Sequence, residues 1–437
     1  MRKYLIFILS IFLVFAFACN SGEEKTTKTI SNDTSDLGTN ETNSTEENNI
    51  VSESSLRLNN INTNYVTTYP KKTYLDSIYT FCNDYTNLIV NDSANIVYSP
   101  FNIYIFLSAI SEASTGKTKE EICNALGTDE EVKKYIQYLI GNINYAGDDT
   151  IMKVGNGLWF NKKYQVNQDF LDTLQEYYYA EAFSTDFSSD AKEEMADWLN
   201  DYTNNMFNVT PESFNTLNTA SQIAYISTLY INVSWKQEFQ EYQNFTDIFY
   251  NFNGKNNEVT FMKKTEEALY QETDDYEALT LGISKGSIEF ILPKGDLTVS
   301  DLCKDDVIYN ILNDEPNNKT DNVVANFIMP KISYKSYYDL NDNLKELGIK
   351  SIFSVKNELS FIEESNYYFG PLIQYNGIIF NEKGVEAASF IVPTIDPQDE
   401  NPIEIKVVDF TLNRPFIFII KSDYNVPLYI GIVREMD

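Results

Sequence analysis

The chain has 437 residues, 64 of them acidic against 33 basic, for a net charge of −31; 43% are hydrophobic, including 28 Phe and 31 Tyr. That length and apolar content support a large core, and a field this negative repels nucleic acid and anionic lipid. Histidine is absent and no phosphate-loop or dinucleotide-binding glycine pattern occurs, which removes Ser-His-Asp and Cys-His nucleophile pairs, His-ligated zinc and the nucleotide folds those glycines mark.

Arg2 and Lys3 precede an apolar run from Tyr4 to Ala18 broken only by Ser10, a charged start and a hydrophobic stretch too short to span a bilayer as a stable anchor. Ala16, Phe17, Ala18 and Cys19 follow and resemble a bacterial lipobox. Residues 1–18 are therefore read as a lipoprotein signal peptide and Cys19 as the lipid attachment point, with ordinary cleavage as the alternative. Acyl chains there would hold firmly, since each buried CH₂ contributes about 0.8 kcal/mol. Residues 19–65 are rich in Ser, Thr, Asn and Glu and poor in aromatics; they lack the apolar surface to fold and read as a flexible tether. As a coil the tether would span roughly 35–40 Å. Cys82, Cys123 and Cys303 are widely spaced and odd in number, so they read as free thiols.

Residues 66–437 read as one folded domain. Leu75, Ile78, Tyr79, Cys82, Tyr85 and Ile89 recur at helical spacing. A second helix, nearly apolar all round and so buried, is expected from Asn102 to about Ser114, with Gly116 ending it. Thr118 and Glu121 then form a capping box for a short helix through Ala125. Ile223–Trp235, Ser287–Leu292, Phe416–Ile420 and Leu428–Val433 are β-branched and aromatic runs bounded by Gly, Pro or Asn, and read as strands. Helices dominate the first half and strands the second, which predicts an α+β domain with large, mainly antiparallel sheets.

Several blocks, in this order, resemble the serpin family. Asn95 to Pro100 is similar to its N-x-x-x-S-P helix start. Lys153–Phe160, Tyr177–Glu181 with Asp186 and Phe187, and Trp198–Asn200 with Thr203–Asn205 look like its next strand and helices. Leu229–Ile231 with Trp235 and Phe239, Met329–Lys331, Tyr338–Leu340 and Leu347–Ile349 match later blocks. The most specific are Asn381–Ala388, similar to the hinge N-E-x-G-T-E-A-A, and Phe410 to Ile420, similar to the strand after the reactive loop.

The resemblance implies a serpin fold with about eight or nine helices, three mainly antiparallel sheets and an exposed reactive loop at about 384–405. It implies a covalent-trapping inhibitor of extracellular serine or cysteine proteases, not an enzyme: a protease cuts the loop, and the segment before the cut enters the main sheet as a new strand. The hinge would be Glu382, Gly384, Val385, Glu386, Ala387, Ala388 and Ser389. Val385, Ala387, Ser389 and Ile391 would face the core, with no charge to bury. Phe390 is bulkier than the pattern, and Pro393 lacks the N–H a central strand needs. These two motivate the alternative, a non-inhibitory serpin acting as a binding protein.

Counted from Gly384 as the family resemblance implies, the reactive bond falls at Gln398 and Asp399; counting back from Pro415 gives Glu404, so the window runs from Ile395 to Glu404. The resemblance also implies that Ser99, Asn102, Ser227 and Gln374, all neutral and polar, stand at the shutter positions beneath the parting strands, and Trp235 at the breach. The expected partner is a target protease of serine or cysteine type, with membrane contact through the lipid anchor only, no nucleic acid, no metal and no cofactor. The expected protein is a monomer and a secreted, membrane-anchored lipoprotein, on the cell surface or in the periplasm.

Overall fold

The computed structural model describes residues 55–57, 72–90, 94–129, 131–147, 150–304, 306–313, 321–354, 357–362, 369–385 and 406–436. Helix α1 spans Lys72–Ile89 and buries Ile78, Phe81, Cys82 and Tyr85, the stripe its spacing predicts. Helix α2 runs Pro100–Glu112 with Ser99 as N-cap: the Ser99 hydroxyl accepts from the Asn102 N–H, and Pro100 supplies a first-turn φ without a wasted donor. It starts two residues earlier than expected and is buried along nearly its whole length.

The next helix corrects the sequence reading. Gly116 is its first residue, at φ +49°, rather than the stop of α2, and the helix runs Gly116–Leu126 behind the N-cap Thr115. No capping box forms at Thr118 and Glu121. The Glu121 carboxylate instead accepts from the Lys350 and Ser351 N–H groups, and the Thr118 hydroxyl accepts from the Glu358 N–H. Tertiary donors outcompete the local pair because they would otherwise be stranded at a packed surface.

The main sheet contains β1 (Ser55–Arg57), β2 (Ile151–Asn161), β3 (Glu181–Thr185), β4 (Ile223–Ser234) and β7 (Gly384–Val385), and β5 (Ile332–Asp339) and β6 (Ile373–Phe380) form a two-stranded sheet of their own. The ladders run β1–β3–β2–β4–β7, with β5–β6 as a separate antiparallel pair. β1, from within the stretch read as tether, pairs antiparallel with the edge strand β3, Leu56 opposite Ser184. A second sheet of nine strands includes Asn257–Glu272, Gly286–Pro293, Phe416–Lys421 and Pro427–Val433. With nine α-helices and three sheets among the described residues, the domain is α+β, as the order of sequence patterns predicts.

Helix α3 (Ser189–Tyr202) lies on the outer face of the main sheet, its N-cap Ser188 accepting from the Ala191 N–H. Two glycines of β2 let it approach. A Cβ at Gly155 would stand 2.3 Å from the Tyr202 ring, and one at Gly157 would stand 3.1 Å from the Trp198 ring of the helix and 2.5 Å from Trp159 of its own strand. Under the helix a small aromatic core gathers Trp159, Phe187 and Met195, with Trp198, Phe214 and Ile226 packed on it. The large core lies on the sheet's other face, around α2 and the second sheet.

Candidate functional site: a divided sheet and its hinge

Strands β4 and β6 face each other without a ladder between them. A cavity of about 540 Å³ separates them, lined by Ser227 and Thr228 of β4, Gln374 and Tyr375 of β6, and Asn102 of α2 below. Along β4 the alternation of an exposed strand decides what each side offers. Tyr225, Leu229, Ile231 and Val233 join the large core, whereas Ala224 and Ile226 pack toward α3, and the Tyr230 hydroxyl accepts from Asn204 just past that helix.

The N-terminus of α2 bridges the two strands from beneath. Asn102 Nδ2 donates to Ser227 Oγ of β4 at 2.8 Å. On the other side Gln374 of β6 holds the Ser99 backbone in both directions, its Oε1 accepting from the Ser99 N–H at 3.2 Å and its Nε2 donating to the Ser99 carbonyl at 2.9 Å. The Ser99 hydroxyl donates to Leu428 O at 2.7 Å. The four residues singled out in the sequence thus form one network. A glutamine suits this position because a single amide both donates and accepts.

The slot narrows at the hinge. β7 is the first stretch of a strand laid against β4, with Gly384 opposite Ser234 and Val385 opposite Val233. Val385 and Val233 are both buried in the core. The backbone of Gly384 lies outside the left-handed region, so its glycine is explained by space rather than by dihedral freedom. A Cβ there would lie 2.2 Å from the Val233 carbonyl oxygen, so only glycine fits.

Trp235 fixes the turn that leads into β7. Its Nε1 donates to Asn381 O at 2.9 Å and its N–H to Lys383 O at 3.0 Å. The ring stacks on Phe380 at 6.0 Å and meets Phe239 edge-on at 5.5 Å. Glu382 accepts from Lys331 Nζ and from Asn244 Nδ2. Burial by itself would raise its carboxyl, but those donors outweigh it and hold Glu382 below the usual carboxylate range.

Behind Trp235 lies a pair absent from the sequence reading. Lys264 Nζ sits 2.6 Å from Glu266, with both side chains buried, and lies 4.5 Å from the Trp235 ring centre and 4.6 Å from that of Phe239. It also donates to Gln237 O at 2.8 Å. Burial pulls Lys264 down to about 8, and burial pushes Glu266 up. Alternation along Asn257–Glu272 could have flagged both, since charged residues stand at core-phase positions; the Trp235 and Phe239 rings beside Lys264 could not be foreseen. Glu386, Ala387, Ala388, Ser389, Gln398, Asp399 and Cys19 lie outside the described residues.

Comparison with known proteins agrees with this architecture. A family model described as Serpin (serine protease inhibitor) matches residues 76–436. An uncharacterised serpin-like protein of Thermococcus kodakarensis is 26% identical over 371 residues, covering 80% of this chain and 82% of its own. Among solved structures, the thermophilic serpin tengpin in the native state superposes with a TM-score of 0.73 at 21% identity, covering 85% of this chain and 97% of its own. Thyroxine-binding globulin complexed with thyroxine superposes at 0.69 and 21% identity, covering 84% and 99%. The chain belongs to the serpin family.

Two outcomes test the site. Gly384→Ala should lift β7 from β4, seen as faster hydrogen exchange at the Val233 and Trp235 amides, which face the hinge strand; unchanged protection there would contradict the close approach. Lys264→Met leaves Glu266 buried without its cation and should cost about 3–5 kcal/mol in denaturant unfolding, most of it regained on adding Glu266→Leu. An ordinary lysine keeps its proton to 10.5 and folded Lys264 releases it near 8, so between these values the unfolded chain binds more protons. The lysine's contribution to stability therefore rises with pH across that window. The buried thiols of Cys82 and Cys303 are held up by burial and oppose this rise, so the quantity to measure is the difference in slope between wild type and Lys264→Met.

Proposed function

We propose that the protein is a covalent-trapping inhibitor of serine or cysteine proteases, held on a bacterial envelope by a lipid on Cys19. The observation that carries this reading is the hinge: β7 already occupies the first two rungs beside β4, in a register that can continue down the slot. Carried on from Val385 opposite Val233, that register sets Ala387 opposite Ile231, Ser389 opposite Leu229, Ile391 opposite Ser227, Pro393 opposite Tyr225 and Ile395 opposite Ile223, where β4 begins. Small or apolar residues then meet the core at every step. A cut after Gln398 would leave enough chain to reach the end of β4.

The driving force would come from backbone groups of β4 and β6 that lack a ladder across the slot. At about 1 kcal/mol net for each new hydrogen bond, a strand of ten residues bonded on both sides gains on the order of 10 kcal/mol. That is comparable to the whole stability of a domain. A protease held as an acyl-enzyme at the cut would be carried along by this gain.

Pro393 favours a second reading. Trp235 N–H donates to Lys383 O, so the bonded rungs with β4 fall at odd-numbered loop residues, and Pro393 has no N–H to offer at its own. Four bonded rungs, from Val385 to Ile391, precede it. If insertion stalled there, the protein would be a binding serpin; thyroxine-binding globulin, which is similar in fold, is one that holds a small ligand.

Incubation with elastase-, subtilisin-, glutamyl- and papain-type proteases separates the two readings. The inhibitory reading expects a denaturant-stable complex, a released C-terminal peptide whose first residue names the cut, and a large rise in Tm of the cleaved protein. Cleavage without complex or Tm rise would overturn it. Pro393→Ala should raise the Tm of the cleaved form further by restoring about one hydrogen bond, or about 1 kcal/mol, while leaving the uncut form unchanged.

A further inference from the structure

The register of β7 on β4 also fixes which loop residues would face α3. Opposed residues of an antiparallel pair share a face, so Glu386, Ala388, Phe390, Val392 and Thr394 would lie with Asn232, Tyr230, Thr228, Ile226 and Ala224. That face of β4 is the one turned to α3, as the contacts of Tyr230, Ile226 and Ala224 establish. Sizes then alternate across the rungs. Ala388 falls beside the large Tyr230, and the large Phe390 falls beside Thr228, whose neighbour on β2 is Gly155.

On that side the cavity between β4 and β6 has an apolar wall. Leu199 of α3, with Thr203, Phe207 and Val209 from the chain that follows it, lines the cavity opposite Thr228 and Tyr375. Leu199, Phe207 and Val209 are each only half-buried. Phe207 lies edge-on to Tyr375 of β6 at 6.5 Å, and Tyr375 is 57% exposed. Aromatic and aliphatic groups left uncovered on both sides of one cavity are a site for a further apolar side chain.

We infer that the occupant is Phe390: on insertion its ring enters the space between Thr228 and the wall of Leu199, Phe207 and Val209, and anchors the strand midway down the slot. The residue that looks oversized in a run of small ones would thus be a positioning residue for insertion rather than an obstacle. Phe390 itself lies outside the described residues, and the inference rests on the insertion proposed above.

The test needs no protease. Synthetic peptides of residues 386–394, with Phe390 or with Phe390→Ala, are annealed to the full chain, whose own Val385 already fills the rung opposite Val233, and to its Phe207→Ala variant. Incorporation is read by native gel and by the shift in Tm. Burying one phenylalanine ring should make the Phe390 peptide bind at least about tenfold more tightly than the alanine peptide. On the Phe207→Ala protein that ratio should fall below about threefold, as part of the apolar contact is gone. Equal or tighter binding of the alanine peptide would overturn the inference, as would a ratio indifferent to Phe207→Ala, or failure of both peptides to anneal. The substitution in the peptide cannot unfold the protein, so the first comparison stands even if the variant is unstable. If proteases form no covalent complex yet the Phe390 peptide is preferred, the inhibitory reading fails and the anchor survives. If complexes form and the preference is absent, the reverse holds.

Discussion

Everything in this molecule is arranged around one missing ladder. β4 and β6 line one cavity yet belong to different ladders and share no rung, and strands with unpaired edges are sites for strand addition. What holds them is side-chain chemistry: the Ser99 backbone on Gln374 to one side, Asn102 on Ser227 to the other, both from the first turn of α2. A helix start is well suited to this work, because its first residues carry backbone groups with no helical partner. The buried body of α2 keeps that polar end in place.

The hinge and the ring cluster behind it form the second half of the same device. Trp235 binds the turn through its indole nitrogen and its own backbone, while Glu382 is clasped by Lys331 and Asn244. These contacts set β7 at the mouth of the slot in a single register, and the side-chain period of two makes register decisive. Slipping by one residue would turn Val385 out of the core and put Glu386 into it. The buried Lys264–Glu266 pair costs desolvation that an apolar pair would not, but it places a cation against the Trp235 and Phe239 rings, and aromatic faces favour that contact.

Much of this was legible beforehand. The stripe of α1, the buried α2 and the four strand runs follow from periodicity and β-branching, because those patterns report local geometry, whereas the hinge at Gly384 was legible through the family resemblance of Asn381–Ala388. Ser99, Asn102, Ser227 and Gln374 were legible through resemblance alone, since they are separated by up to 275 positions in the chain. Thr118 and Glu121 misled because a local motif does not reveal the distant donors that compete for its oxygens.

The sequence by itself determined the class of fold, the run of small residues after the hinge and the exclusion of histidine chemistry, for these depend on residue type and spacing. Tertiary structure alone decided that Gly384 must be glycine for lack of room, that Lys264 meets the Trp235 ring, and that β4 and β6 stand apart. Each of those is a distance between segments remote in the chain, and no pattern within a single segment encodes it.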